Sequence, residues 1–379
     1  MTGIYFRNSV VLICVFLICA FVGQGNCQDG NNTESFSCEG RCFEEIDEKF
    51  SCHCNRQCIA YDDCCHGNDV FLEMCQPMCA EKCQIYLPDK ERCQKCAFTN
   101  GSCVTNLEIF KFSKRLWKEN TFKSRSTDFT FNKQGLTTPR NTVDKADGKL
   151  FTYVNESILQ LESFQKLIAL FDNYEKALGI NETFTKNKKK EQNAFINYVL
   201  STPVGKALRQ FLVKHGLSGC GRTSDFKKIL RQIWFASFSG KEGAMDSSGF
   251  EHIFIGEHYD NKTTGFHNWV RYYLLEKDGE IDYRGHLDKP EDNFESGRQK
   301  IQFVWEGHRK PISSMFVGTS PEWEFCVYTL CFLTRPGIRC KISLEDLDGN
   351  PYDVEIQTYP WTEILPQNGL HHISTAFII

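Results

Sequence analysis

The sequence predicts an α+β domain preceded by small disulfide-bonded modules. Three observations carry that expectation. Apolar residues recur at three- and four-residue spacing through much of 104–240, the period of an amphipathic helix. From about residue 248 the pattern changes to short apolar runs bounded by turn formers, so helices come first and antiparallel strands later. Thirteen of the 20 cysteines fall between Cys38 and Cys103, a density that belongs to an oxidising compartment and to modules too small to rest on a core.

At 379 residues, 41% of them hydrophobic, the chain can hold one sizeable core plus such modules. Its net charge of -4 is uneven: residues 38–103 carry 7 Lys and Arg against 12 Asp and Glu, whereas 104–379 carry 36 against 34. A mildly basic C-terminal part can accept a polyanion at a local site, but the totals exclude a protein that coats nucleic acid by bulk charge.

Residues 1–25 read as a secretory signal peptide. Arg7 supplies the charged start, the 14-residue run 9–22 is too short to span a bilayer comfortably, and Gly23-Gln24-Gly25 offers small residues for cleavage. A cut after Gly25 leaves 18 cysteines, an even number. Asn-x-Ser/Thr sequons at Asn31, Asn100, Asn155, Asn181 and Asn261 are candidate glycan sites in a secreted chain.

Residues 38–76 form a first module, with Cys38, Cys42, Cys52, Cys54, Cys58, Cys64, Cys65 and Cys75 in under forty residues. Disulfides must hold it by constraining the unfolded chain; zinc is the competing use of such thiols, and spacing leaves the connectivity open. With Tyr61-Asp62-Asp63-Cys64-Cys65 at its centre, the segment resembles a somatomedin B domain, which implies a disulfide knot used in extracellular protein contacts. Residues 77–104 repeat half of that pattern (Cys79, Cys83, Cys93, Cys96, then Cys103) and resemble a degenerate second copy. Five cysteines are odd in number, so Cys27 or Cys220 is a candidate partner.

Within the domain at 105–379, helical periodicity marks 107–117, 158–178, 194–212 and 226–238, with a polar loop at 123–149. The lysine run 186–190 suits either phosphate or the solvated start of a helix. Strands are expected at 251–255, 268–275, 301–305 and 315–317, with a hairpin turn at Lys277-Asp278-Gly279-Glu280 leading into 281–283. Ser320-Pro321-Glu322 signals a helix start and Arg335-Pro336-Gly337 its end. Cys331 and Cys340 bracket that break and could bridge, Cys326 reads as core, and two or three final strands end at 374–379.

The candidate chemistry lies in Gly249-Phe250-Glu251-His252-Ile253-Phe254-Ile255-Gly256-Glu257 and Gly265-Phe266-His267-Asn268-Trp269. Two histidines in similar apolar settings can serve as acid and base in one reaction, or both be structural. RNA cleavage without a redox cofactor needs a base for the 2′-hydroxyl, an acid for the departing 5′-oxygen and a cation for the phosphorane charge. Two histidines and a lysine meet that need and would leave a 2′,3′-cyclic phosphate. On a regular strand Glu251 and Glu257 would share one face and His252 the other, so both could not line one pocket without a bulge. No HExxH or Gly-x-Ser-x-Gly points to a protease or esterase.

Together with Trp305-Glu306-Gly307-His308-Arg309-Lys310 and Ser320-Pro321-Glu322-Trp323-Glu324-Phe325, these segments resemble the EndoU family of uridylate-preferring endoribonucleases. The resemblance implies His252, His267 and Lys310 as catalytic, with His267 as base and His252 as acid. It also implies Mn2+ as cofactor, with Glu251 and Glu257 matching carboxylates linked to that dependence; the residues themselves equally suit salt bridges or bound water. Thr375 and Phe377, where the family commonly has Thr-Ala-Tyr, are the implied substrate-binding residues, with Ser314 a further candidate. Phe377 keeps a ring that can stack on a base but lacks the hydroxyl. The expected protein is thus a secreted, extracellular endoribonuclease for single-stranded RNA, with a possible protein partner at the somatomedin B module and no transmembrane segment. The competing expectation is a catalytically idle RNA-binding or extracellular interaction protein acting through that module.

Overall fold

The computed structural model describes residues 104–216, 220–241, 243–288, 297–361 and 371–379. The expected signal peptide, the two expected cysteine-rich modules up to Cys103, and the sequons at Asn31 and Asn100 lie outside the described residues.

Helix α1 spans Asn106–Glu119, and its start is a full capping box between Thr105 and Glu108. A short hairpin of β1 (Phe129–Phe131) and β2 (Phe151–Val154) follows, within and just past the stretch expected to be loop. The helical period at 158–178 holds only as the 3₁₀ turn Glu156–Gln160 and α2, Glu162–Ile168. Next come α3, Lys186–Ser201, and α4, Pro203–Lys214. Thr202 breaks what periodicity reads as one helix, because it caps α4 and Pro203 stands at its first turn. Helix α5 is Thr223–Phe235.

Two expected strands are helical. Residues Glu251–Ile255 form a π-helical turn, closed by Gly256 N–H donating to the Glu251 carbonyl at 3.0 Å. A short run with three apolar residues, Ile253, Phe254 and Ile255, is ambiguous by period alone. Here Ile253, Phe254 and Ile255 are all buried, which a turn wedged between elements achieves as well as a strand. Residues Trp269–Asp278 form α6. Val270, Tyr272 and Tyr273 favour strands, but Asn268 caps the start (Oδ1 accepts from Arg271 N–H at 3.0 Å) and Gly279 ends it in the left-handed conformation. The expected hairpin turn at 277–280 is that helix end.

The later strands form two sheets. Strands β3 (Glu257–Tyr259), β4 (Lys262–Thr264), β5 (Ile281–His286), β6 (Arg298–Trp305) and β7 (His308–Phe316) pair in the order β3-β4-β7-β6-β5. Strands β8 (Cys340–Glu345), β9 (Pro351–Trp361) and β10 (His372–Ile378) pair antiparallel as β10-β9-β8. Between the sheets and the N-terminal helices runs α7, Pro321–Thr334, capped by Ser320 as expected. All its residues are buried, so it is apolar all round rather than on one face. Cys331, in its last turn, forms a disulfide with Cys340 at the start of β8, and Cys326 is core. Cys220 is buried and has no partner among the described residues. The α+β class stands.

Candidate active site

Two glycines bring the histidine segments together. Gly256 has φ +87° and Gly265 φ +60°, both in the region that favours glycine. A Cβ on Gly265 would lie 1.8 Å from the His252 carbonyl oxygen, and one on Gly256 would lie 2.2 Å from the Phe266 ring. Through that contact Phe266 N–H donates to the His252 carbonyl at 2.8 Å and His267 N–H to the Ile253 carbonyl at 2.7 Å. Phe266 itself has φ +66° without being glycine, a strain of about 1–3 kcal/mol that its full burial among aromatic rings must offset.

Strand β7 supplies the third member. Ser313 Oγ donates to the Phe266 carbonyl at 2.5 Å, and His267 Nδ1 bonds the Ser314 carbonyl at 2.9 Å. Lys310 precedes them on the same strand, close enough that its charge and that of His252 both act on His267. The three side chains are recessed but not sealed: His252 is 21% exposed, His267 7% and Lys310 8%.

Their partners differ. His252 Nδ1 lies 2.6 Å from Glu257 Oε2, so it is the carboxylate that holds the ring. His267 Nδ1 faces a carbonyl, which can only accept, so Nδ1 carries the proton and Nε2 keeps a lone pair. Burial, then the Lys310 ammonium, holds the His267 pKa well below the usual imidazole range. Burial brings the Lys310 pKa down to about 8, against the pull of Glu257.

The strand geometry that set Glu251 against His252 disappears with the strand. Glu251 is fully buried in the turn, where its charge interacts with Glu257, Glu182 and Lys188. Burial, then the Glu257 and Glu182 carboxylates, raises its pKa well above the usual carboxylate range. Lys188, from the lysine run expected to be solvated, is likewise buried and paired with Glu182. Glu251 and Glu257 act on one another electrostatically, and Glu251 Oε1 and Oε2 and Glu257 Oε1 are buried without a hydrogen-bond partner among the described residues, whereas Glu257 Oε2 is on His252. Among the described residues no three His, Cys, Asp or Glu side chains are grouped to hold a metal.

On β10, the Phe377 ring stacks 5.6 Å from that of His267, at 23°. Thr375, two residues back, is half-buried. Ser314 needs correction as a substrate-binding hydroxyl: its Oγ donates to the Ile378 carbonyl at 2.5 Å, and its own carbonyl is what serves the site. No sequence signal singles out Tyr359, an exposed ring on β9 that lies 6.4 Å from Phe377. Among the sequons, Asn181 and Asn261 are exposed, whereas Asn155 Nδ2 already donates to Asp128 at 2.8 Å.

Residues 108–378 match the family model for endoribonuclease XendoU, and residues 36–78 match the somatomedin B domain. The chain is 36% identical over 348 residues to the uridylate-specific endoribonuclease of Bos taurus, covering 90% of this chain and 77% of that one. It is 32% identical over 397 residues to the uridylate-specific endoribonuclease of Paralichthys olivaceus, covering 97% and 98%. Among solved structures it resembles XendoU, a splicing-independent snoRNA-processing endoribonuclease, with a TM-score of 0.58 and 31% identity over 72% of this chain and 96% of that one.

Proposed function

The chain belongs to the endoribonuclease XendoU family, and on that premise we propose that it is a secreted, uridylate-specific endoribonuclease that cuts single-stranded RNA by internal 2′-hydroxyl attack. One observation supports this most: the His267 Nδ1 contact with the Ser314 carbonyl leaves Nε2 as a proton acceptor beside His252 and Lys310. In this reading His267 Nε2 takes the 2′-hydroxyl proton. The 2′-oxygen then bonds to phosphorus, and the bond from phosphorus to the 5′-oxygen breaks. His252, oriented by Glu257, gives a proton from Nε2 to the leaving oxygen, and the Lys310 ammonium stabilises the charge on the non-bridging oxygens. The products are a 2′,3′-cyclic phosphate and a 5′-hydroxyl.

Phe377, stacked on His267, would present its ring to the uracil, with Thr375 beside it. Manganese is the cofactor this reading expects, and Glu251 and Glu257 are the carboxylates that would hold it, since of their four oxygens only Glu257 Oε2 is engaged, on His252. Secretion would follow from the N-terminal apolar segment, and the somatomedin B match fits an extracellular protein partner. The described residues contain no helix long and apolar enough to cross a membrane.

The test is cleavage of a single-stranded RNA with one uridine, with and without manganese, followed by end analysis. Cyclic phosphate ends are expected, and His252→Ala and His267→Ala should each lose about a hundred-fold or more in kcat. Full activity in either variant would sink the mechanism. No cleavage by the wild type would favour an idle domain acting through the somatomedin B module.

A further inference from the structure

Five cations gather on the outer faces of α3 and α5 without an acid partner among the described residues. Lys186, Lys189 and Lys190 are exposed in the first turns of α3. Lys227 and Arg231 reach the same face from α5, where Lys227 donates to Asn197 and Arg231 to Asn193. The three lysines, with Asn193, Ala194 and Asn197, line an open groove of about 550 Å³. The nearby acids are engaged elsewhere. Glu191 accepts from Asn173 and Asn187, Asp225 pairs with Arg222 and Lys228, and Glu182 pairs with Lys188.

The fold does not account for the three exposed lysines. A helix N-terminus carries partial positive charge, so cations in its first turn are unfavourable, and α3 has no acid there to offset them. Their position relative to the catalytic turn is informative. Lys188 of the same turn reaches inward to Glu182, and both act on Glu251, the neighbour of His252. Helix α5 backs the other end: its Ile233 carbonyl lies against Gly249, and the helix packs on β10, which carries Thr375 and Phe377. The cations therefore stand on the outer side of two helices whose inner sides support the site.

We propose that this face binds the phosphodiester backbone of single-stranded RNA outside the cleaved nucleotide, giving long strands an anchor that short ones cannot reach. The proposal rests on the endoribonuclease reading above. A row of ammonium and guanidinium groups with only neutral amide partners matches a polyanion in charge, and the amides of Asn193 and Asn197 lie within the same groove.

The test uses the full chain with Lys186, Lys189 and Lys190 all changed to Gln. Cleavage is measured on a uridine trinucleotide and on a strand long enough to reach both places, roughly 20 nucleotides. The expected result is unchanged kinetics on the trinucleotide. On the long strand KM should rise about ten-fold, with a salt dependence of KM shallower by about 0.7 per lost phosphate contact. Equal losses on both substrates, or none on either, would overturn the proposal. So would lost retention on a sulfated glycan with long-strand kinetics unchanged, which would assign the face to that polyanion instead. If the wild type cuts neither substrate, the endoribonuclease reading fails separately. Binding of a long strand carrying 2′-deoxyuridine, read by anisotropy, then decides the surface: about ten-fold weaker binding by the variant supports it, and equal binding rejects it.

Discussion

The turn that carries His252 and the segment that carries His267 begin alike in sequence, each shortly after a Gly-Phe pair, and end in opposite settings. His252 is partly exposed on a π-helical turn with a carboxylate at Nδ1. His267 is buried, with a main-chain carbonyl at Nδ1 and an ammonium nearby. A carbonyl fixes the tautomer without adding charge, whereas a carboxylate orients the ring and also balances a positive one. The contrast supports a division of labour, with proton acceptance at His267 and proton donation at His252. It also shows that two histidines can be told apart by what holds the far nitrogen when their sequence surroundings look alike.

The largest break in the contrast should come from Lys310, which separates the two settings electrostatically. Lys310→Met should lower kcat by about 10²–10³-fold, since the charge that meets the phosphorane is gone. The same variant should melt higher at pH 7, by about 1–2 kcal/mol, because a desolvated cation is replaced by an apolar chain of similar length. A lower melting temperature would mean the ammonium is well solvated after all. Glu257→Gln should act chiefly through His252, whose Nδ1 it holds, costing about ten- to a hundred-fold in kcat with KM little moved. A large KM change instead would place Glu257 in substrate binding.

The pH profile sharpens the contrast further. With its pKa lowered, His267 stays neutral below the ordinary 6.5, so the acid limb of kcat/KM should fall at lower pH than a free imidazole would give. Loss of the Lys310 proton at about 8 should contribute to the alkaline limb, and that contribution should disappear in Lys310→Arg if that variant keeps activity. Stability follows the same signs. Below 6.5 the unfolded His267 binds a proton that the folded one refuses, so stability falls as pH drops. Between about 8 and 10.5 the unfolded Lys310 keeps a proton that the folded one has lost, so its contribution rises with pH. Chemical melts across these ranges would show either slope reversed if the assignments fail. The smallest effect should be Phe377→Tyr: the ring on His267 is kept, so activity on uridine should change by only about two- to five-fold.

Some of this was legible in the residues because it is local or compositional. The cysteine segregation, the change of period near residue 248, the Ser320-Pro321 helix start and the Cys331–Cys340 bridge depend on neighbours a few positions away or on simple counts. The residues of the site were legible mainly through four motifs resembling a known family, since composition alone could not choose Lys310 among the lysines. At 251–255 and 269–278 the β-branched and aromatic residues favour strands, but both segments are helical. For the second, the caps at Asn268 and Gly279 were in plain sight.

By itself, then, the sequence determined an α+β domain behind a cysteine-rich module, with two histidines and a lysine available for proton transfer and charge stabilisation. Only the tertiary structure decided what each of them faces. Ser314 is 47 residues from His267, yet its carbonyl sets the ring's tautomer. Glu251 adjoins His252 in the chain, yet the π turn buries it completely among Glu257, Glu182 and Lys188 while His252 stays partly exposed. The physical reason is that tautomer and pKa depend on distance and burial, and both are set by packing rather than by order along the chain.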